Sequence, residues 1–223
     1  MNHNVWFVTR KRALTIAGAL EIINHLSDIP VVLVPIPKED FGGVARVAPV
    51  AAALGSKIYV GTGSDPMAVL KDWWQYNPAT NTWTQKTDFG GVARSSAVAI
   101  ALESKVYVGT GFADGTVARK DWWEYDPITN AWTQKADFGG TARGVAAAAA
   151  LGSKIYVGTG YDTDNVKDWW EYDPTTNAWT QKTDFGGSPR RGAVAAALGS
   201  KIYVGTGDDG IKKKDWFLQM WNY

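Results

Sequence analysis

The 223-residue sequence contains no cysteine. That excludes disulfide cross-links, thiolate nucleophiles, zinc–thiolate sites and iron–sulfur clusters. Histidine is nearly as scarce. His3 and His25 are the only two, and both precede the repeated part of the chain, which leaves no imidazole there for a catalytic triad or a metal centre. Neither sign of charge is in excess: 23 Lys and Arg against 22 Asp and Glu give a formal net charge of +1. No global field recruits nucleic acid or an anionic membrane surface. No apolar run reaches the roughly 18 residues that span a bilayer, and no glycine-rich phosphate loop opens a helix. A basic stretch does precede Ala13–Leu20, but that apolar segment is short and is followed by Glu21, which argues against a secretory signal. No cofactor is expected, and the sequence does not fix a compartment.

What the chain has in excess is tryptophan and glycine, 12 and 24 residues, and most of them belong to one repeat. The stretch Asp121–Arg143, DWWEYDPITNAWTQKADFGGTAR, returns almost letter for letter at Asp168–Arg190 and more loosely at Asp72–Arg94. A second landmark, K(I/V)YVGTG, places tyrosines at Tyr59, Tyr107, Tyr156 and Tyr203, in steps of 48, 49 and 47 residues. The DFGG units at Asp40, Asp88, Asp137 and Asp184 keep the same steps. A period of about 48 fits a four-stranded propeller blade and is too long for the short helical repeats.

Residues 1–28 form an extension outside the repeat, and residues 29–223 form the repeated domain. Within the extension, Ile16, Leu20, Ile23 and Leu26 recur at helical spacing, which predicts an amphipathic helix that Asp28 and Pro30 end. Its stripe either caps its own domain or meets a partner. Each full repeat parses into four strands, a to d. Strand a is small and apolar (Val44–Leu54, Ser95–Leu102, Gly144–Leu151, Gly192–Leu198), as suits the crowded axis of a propeller. Strand b is the KIYVGT segment, strand c the DWWEY segment and strand d the AWTQK segment. The fourth repeat reaches only strand c, whereas Val31–Ile36 reads as a strand d with no a, b or c before it. One missing and one spare strand of the same kind predict an all-β propeller of four blades, the last closed by the N-terminal strand.

These residues resemble the kelch repeat. The resemblance rests on Arg46, Arg94, Arg143 and Arg190 at the start of strand a, the YVGTG strands, the Tyr125-Asp126-Pro127 and Tyr172-Asp173-Pro174 turns, and Trp83, Trp132 and Trp179 early in strand d. It covers residues 30–223. Two departures stand out: Gly-Thr-Gly replaces the family's double glycine, and four blades replace the usual six or seven. The resemblance implies a bacterial secreted or surface protein that binds peptides or other ligands on the face where the b–c loops emerge. Kelch-like propellers also include a copper oxidase, whose cysteine and histidine ligands have no counterparts here, and a sialic-acid epimerase.

The candidate site follows from the blade layout. The d–a and b–c connections emerge at one end, so Arg46, Arg94, Arg143 and Arg190 are expected to ring the mouth of the channel. They either attract a carboxylate through charge-assisted bonds or hold blade to blade by bonding carbonyls or the Asp of DFGG. The b–c loops Ser64–Leu70, Phe112–Lys120, Tyr161–Lys167 and Asp208–Lys214 open on the same face and vary most between copies, as binding loops on a scaffold do. Asp114, Tyr161, Asp162 and Asp208 in those loops, with Arg191, complete the candidate ligand contacts. Asp162–Asn165 carries alternating oxygens but lacks the glycine and distant glutamate of a calcium loop, and Lys212–Lys214 reads as a solvated run. Alternation along DWWEY places Trp122 and Glu124 on one face and Trp123 and Tyr125 on the other. Both sets of tryptophans are expected to pack in the core, Trp83, Trp132 and Trp179 foremost, with Trp73, Trp122 and Trp169 nearer a rim. The reading is a non-catalytic scaffold for a protein, peptide or acidic small molecule such as a sugar, acting as monomer or homodimer. Its rivals are an epimerase-like enzyme working with arginines and carboxylates, and half of a larger ring assembled by homodimerisation.

Overall fold

A computed structural model describes residues 38–219. Glu39 opens a compact unit, and all that follows concerns it. The expected helix around Ile16–Leu26 and the expected strand Val31–Ile36 lie outside the described residues.

Three sheets of four antiparallel strands and a fourth with three described strands follow one another along the chain. Blade 1 comprises β1 (Val50–Leu54), β2 (Lys57–Gly61), β3 (Trp73–Asn77) and β4 (Thr82–Lys86). Blade 2 comprises β5 (Val98–Leu102), β6 (Lys105–Gly109), β9 (Trp122–Asp126) and β10 (Ala131–Lys135), with a small hairpin β7 (Phe112–Ala113) and β8 (Val117–Ala118) inserted in its b–c loop. Blade 3 comprises β11 (Ala147–Leu151), β12 (Lys154–Gly158), β13 (Trp169–Asp173) and β14 (Ala178–Lys182). Blade 4 comprises β15 (Val194–Leu198), β16 (Lys201–Gly205) and β17 (Trp216–Gln219). The order within each sheet is up-and-down, as in a propeller.

Strand a starts later than its apolar composition predicts. Ala48, Ser96, Val145 and Gly192, each two residues past its arginine, stand at φ of 48–63°, which breaks the ladder before β1, β5, β11 and β15. Their backbones are not left idle. Gly192 N–H donates to Val145 O, Val145 N–H to Ser96 O and Ser96 N–H to Ala48 O, at 2.9–3.1 Å, a relay that steps from blade to blade around the axis.

Sheets pack face to face. Alternation gives every blade a leading face, formed by odd positions of strand a, the Tyr of strand b and the first Trp of DWW, and a trailing face, formed by the aliphatics of strand b and the Tyr of strand c. Val98, Leu102, Tyr107 and Trp122 of blade 2 thus bury against Phe138, Ile155, Val157 and Tyr172 of blade 3. Equivalent residues join blade 1 to 2 and blade 3 to 4. The order of tryptophan burial is the reverse of the expectation. Trp73, Trp122 and Trp169 are wholly buried, clamped between sheets, because their strand runs through the middle of the blade. Trp83, Trp132 and Trp179 sit on the outermost strand and are only half-buried; their indole N–H groups bond Glu39 O, Thr87 O and Ala136 O at the preceding segment.

The innermost strands run β1 beside β5, β5 beside β11 and β11 beside β15, and β15 and β1 share no contact among the described residues. The strand expected to close the ring is not among those residues.

Candidate functional site

The four repeat arginines turn inward, into the blades. Each guanidinium meets one aspartate through two parallel hydrogen bonds of 2.5–2.8 Å: Arg46 with Asp72, Arg94 with Asp121, Arg143 with Asp168 and Arg190 with Asp215. Each also donates to the carbonyl of the Thr in its own Gly-Thr-Gly and to a carbonyl two residues back, and lies 4.7–4.9 Å over the Phe ring of DFGG. The side chains are no more than 3 % exposed. Of the two duties open to them on sequence, this geometry is that of a rivet. The partner differs from the expected one: it is the Asp of DW, not the Asp of DFGG, because the d–a connection passes directly over the start of strand c. The backbone completes the joint, since Gly63, Gly111 and Gly160 of one blade donate to Arg94, Arg143 and Arg190 O of the next at 2.7–2.8 Å.

The second glycine of DFGG is required by the same joint. A Cβ on Gly91 would stand 2.8 Å from Arg94 Nη2, from Asp121 Oδ2 and from the Phe89 ring, closer than real Cβ atoms come. The Asp carboxylates respond to their setting. Burial pushes Asp121 up, but bonds from Arg94 and Trp123 and the Arg94 charge outweigh it and hold its pKa below the ordinary value. Asp72 is lowered against burial by Arg46 and Trp74, and Asp215 is lowered by Arg190.

With those arginines occupied, the open chemistry lies elsewhere on the b–c face. A cleft of about 1060 Å³ is lined from three blades, by Phe112 and Thr116 of the β7–β8 loop, by Val145, Tyr161 and Asp162, and by Arg191, Asp208, Lys212 and Lys213. Four of the residues expected to bind ligand therefore come together: Tyr161, Asp162, Arg191 and Asp208. Asp114 occupies the exposed tip of the β7–β8 hairpin and is not part of the lining. Phe112, Lys212 and Lys213 join the site without having been singled out. Phe112 was recognisable only as the first residue of a variable loop, and the lysines as part of a solvated run.

Arg191 lies across the Tyr161 ring, 5.1 Å from its centre, and its Nη2 is 3.9 Å from Asp208 Oδ2. Nearly half of its side chain is exposed, so it presents charge to the cleft. Lys212 Nζ reaches Asp208 Oδ2 at 2.5 Å and Lys213 Nζ reaches Asp209 Oδ2 at 2.9 Å. The Lys212 bond, the Gly210 N–H and the nearby Arg191 hold Asp208 below the usual carboxylate range. Asp209, bonded by Ser188 and Lys213, falls to about 2. Asp162 is raised by burial and lowered more strongly by its bonds from Asp164 N–H, Thr141 and Thr163, so its carboxylate is spent on its own loop and on the d–a segment beside it. Among the described residues no group of three or more His, Asp or Glu side chains is placed to hold a metal ion.

The cleft sits where the copies differ. Four antiparallel bridges join the start of each strand a to its b–c loop: Val47 with Ser64, Ser95 with Phe112, Gly144 with Tyr161 and Arg191 with Asp208. At neither position of the pair does a residue type recur from blade to blade, although the strands on either side are nearly identical. Gly144 makes room for its neighbour, as a Cβ there would stand 2.2 Å from the Phe112 ring.

The KLHDC2/KLHL20/DRC7 kelch-repeats domain family matches residues 39–207. The chain belongs to the kelch-repeat family. Comparison with curated proteins gives no match. Among solved structures, the one titled "Structure of YjhT" is similar in fold, with a TM-score of 0.65 at 18 % identity over 75 % of this chain. The kelch chain spans 60 % of that structure's length. Within this kelch propeller the rivet belongs to every blade, and the cleft belongs to blades 2, 3 and 4 alone.

Proposed function

We propose that this kelch propeller is a non-catalytic binding module, and that the cleft at the b–c face takes a carboxylate-bearing ligand, an acidic peptide or small acid with a planar or apolar part. The carrying observation is the set of four bridges in which neither position repeats a residue type from blade to blade, on a scaffold otherwise repeated nearly letter for letter. A duty owed to the fold calls for the same residue in every blade; recognition of one asymmetric ligand calls for different ones. Lys212 and Lys213 are paired with Asp208 and Asp209 at 2.5 and 2.9 Å, whereas Arg191 stands 3.9 Å from Asp208 with nearly half of its side chain exposed, so Arg191 is the cation left to meet an anion in the cleft. Phe112 and Tyr161 offer ring faces beside that charge. The repeat arginines support the loops and do not touch the ligand.

The test is calorimetric titration of N-acetylated acidic tetrapeptides and a panel of acidic sugars into the native protein and into Arg191→Ala/Lys212→Ala. Binding that weakens tenfold or more in the double variant, with unchanged thermal stability, supports the reading. Binding that ignores both substitutions, or no binding by any acid, removes it.

A further inference from the structure

Four series of backbone hydrogen bonds run through every junction between consecutive blades. In the first, Phe89, Phe138 and Phe185 N–H donate to Lys71, Lys120 and Lys167 O of the preceding blade. In the second, Arg94, Arg143 and Arg190 N–H donate to Leu70, Arg119 and Val166 O. The third is the relay through Ala48, Ser96, Val145 and Gly192. The fourth runs the other way, from Gly63, Gly111 and Gly160 N–H to the arginine carbonyls. Each series stops at both ends. On blade 1 the next groups in line are Phe41, Arg46 and Ala48 N–H and Arg46 O. On blade 4 they are Lys214, Lys213 and Gly192 O and Gly207 N–H. Among the described residues none of these eight has a backbone partner.

The side chains at the same two places are equally incomplete. On the leading face of blade 4, Val194, Leu198 and Trp216 are 52 %, 72 % and 50 % exposed, although Trp73, Trp122 and Trp169 at the last position are fully buried. On the trailing face of blade 1, Ile58 is 39 % exposed, where its counterparts Val106, Ile155 and Ile202 are fully buried. Blade 4 also departs from the repeat in one telling way. The carboxylates Glu124 and Glu171, which accept from Tyr107 and Tyr156 on the leading face, are replaced by Leu218, an apolar side chain that is 38 % exposed. An apolar change on an open face is expected of a covered surface.

We infer that the leading face of blade 4 docks onto the trailing face of blade 1 of a second copy of this chain. The occupant is specified by what is open: it must offer three N–H donors and one carbonyl in the register of blade 1, beside an aliphatic strand b. The trailing face of blade 1 offers that set, and β1 of the same copy does not reach β15. The contact is head-to-tail and adds a fourth junction of the kind the chain already makes three times. Two copies joined this way at both junctions make eight blades, the upper end of the usual range for propellers.

Sedimentation of the full chain at tens of micromolar tests this, with single-face variants Trp216→Glu and Ile58→Glu. Both positions are exposed, so neither substitution disturbs the fold of the single copy, and circular dichroism checks that. The expected result is a native species of twice the 24.2 kDa chain mass. Each variant alone reverts to the single-chain mass, and an equimolar mixture of the two forms one-to-one pairs, because each retains the face the other has lost. A native protein that stays at the single-chain mass overturns the inference without recourse to any variant. A mixture that forms no pairs overturns the head-to-tail arrangement. Neither outcome bears on the acid titrations, which read a cleft formed within one copy.

Discussion

Arg94 and Asp121 face each other through two parallel hydrogen bonds of 2.7 and 2.6 Å, with the arginine wholly buried and 21 % of the aspartate side chain exposed. The carbonyl of the same arginine accepts from Gly63 of the preceding blade. One residue thus fixes the inside of its own blade and the junction with the previous one. Arg94→Lys keeps the charge but loses the fork that matches a carboxylate. Asp121→Ala leaves a buried guanidinium with half its partners. Breaking a buried pair from one side costs about 3–5 kcal/mol, so Asp121→Ala is expected to lose that much in denaturant titration and Arg94→Lys somewhat less. A loss under 1 kcal/mol for Asp121→Ala would mean the rivet is ornamental.

Acid should loosen these joints. Asp72, Asp121 and Asp215 have pKa values below the ordinary carboxylate value in the folded protein, so the folded state binds fewer protons than the unfolded one near that value. Their stabilisation is complete above about pH 4, the unfolded pKa, and is lost as the pH falls through the lower folded values. Unfolding free energy measured from pH 6 down to 2 is expected to be flat at first and then to fall. The Asp121→Asn variant is expected to show a shallower fall than the native protein; an identical slope would remove Asp121 from the account.

A glutamate stands where its copies have glycine. Glu103 begins the turn between β5 and β6 at φ 54°, and Gly55, Gly152 and Gly199 occupy the same place at φ 57–61°. A Cβ at any of those three glycines would meet nothing within 4 Å, so the turn offers the first carbon of a side chain no packing to repay the strain. The left-handed conformation costs a non-glycine residue roughly 1–2 kcal/mol. Glu103→Gly is therefore expected to raise the unfolding free energy by about 1 kcal/mol, offset in part by the greater freedom of glycine in the unfolded chain. A lower midpoint in thermal unfolding would show that Glu103 has a contact the fold needs.

The blades were legible in the sequence because a fixed period and strict alternation leave one arrangement open. The DWWEY face assignment held: Trp122 is buried towards the next blade and Tyr125 towards the previous one. Burial order was not legible, because alternation says which face a tryptophan takes and not how far its strand lies from the edge of the sheet. The partner of the arginine was hidden for a related reason. Two aspartates recur once per repeat, in DFGG and in DW, and only the crossing of the d–a connection over strand c brings the second within reach. The cleft was half legible. Loop variability marked Tyr161, Asp162 and Asp208, but the approach of Phe112 depends on the missing side chain of Gly144, a contact between two blades that no local pattern carries.

Asn130 separates backbone shape from hydrogen bonding. It sits at φ 54° in the turn between β9 and β10, a place where asparagine and glycine are both tolerated. Its Oδ1 accepts from Tyr125 O–H at 2.8 Å and from Thr87 N–H, at the exit of blade 1, at 3.1 Å. Asn177 does the same for Tyr172 and Ala136. Asn130→Gly keeps the conformation and removes both bonds; Asn130→Ala removes them and adds the left-handed strain. An unsatisfied partner costs about 1–3 kcal/mol when buried, and the Tyr125 side chain is buried. The glycine variant is expected to lose about 1–2 kcal/mol and the alanine variant about 1 kcal/mol more. Amide exchange at Thr87 should quicken in both, since its N–H loses its acceptor either way. Equal stability of the glycine variant and the native protein, with Thr87 still protected, would confine the role of Asn130 to the turn itself.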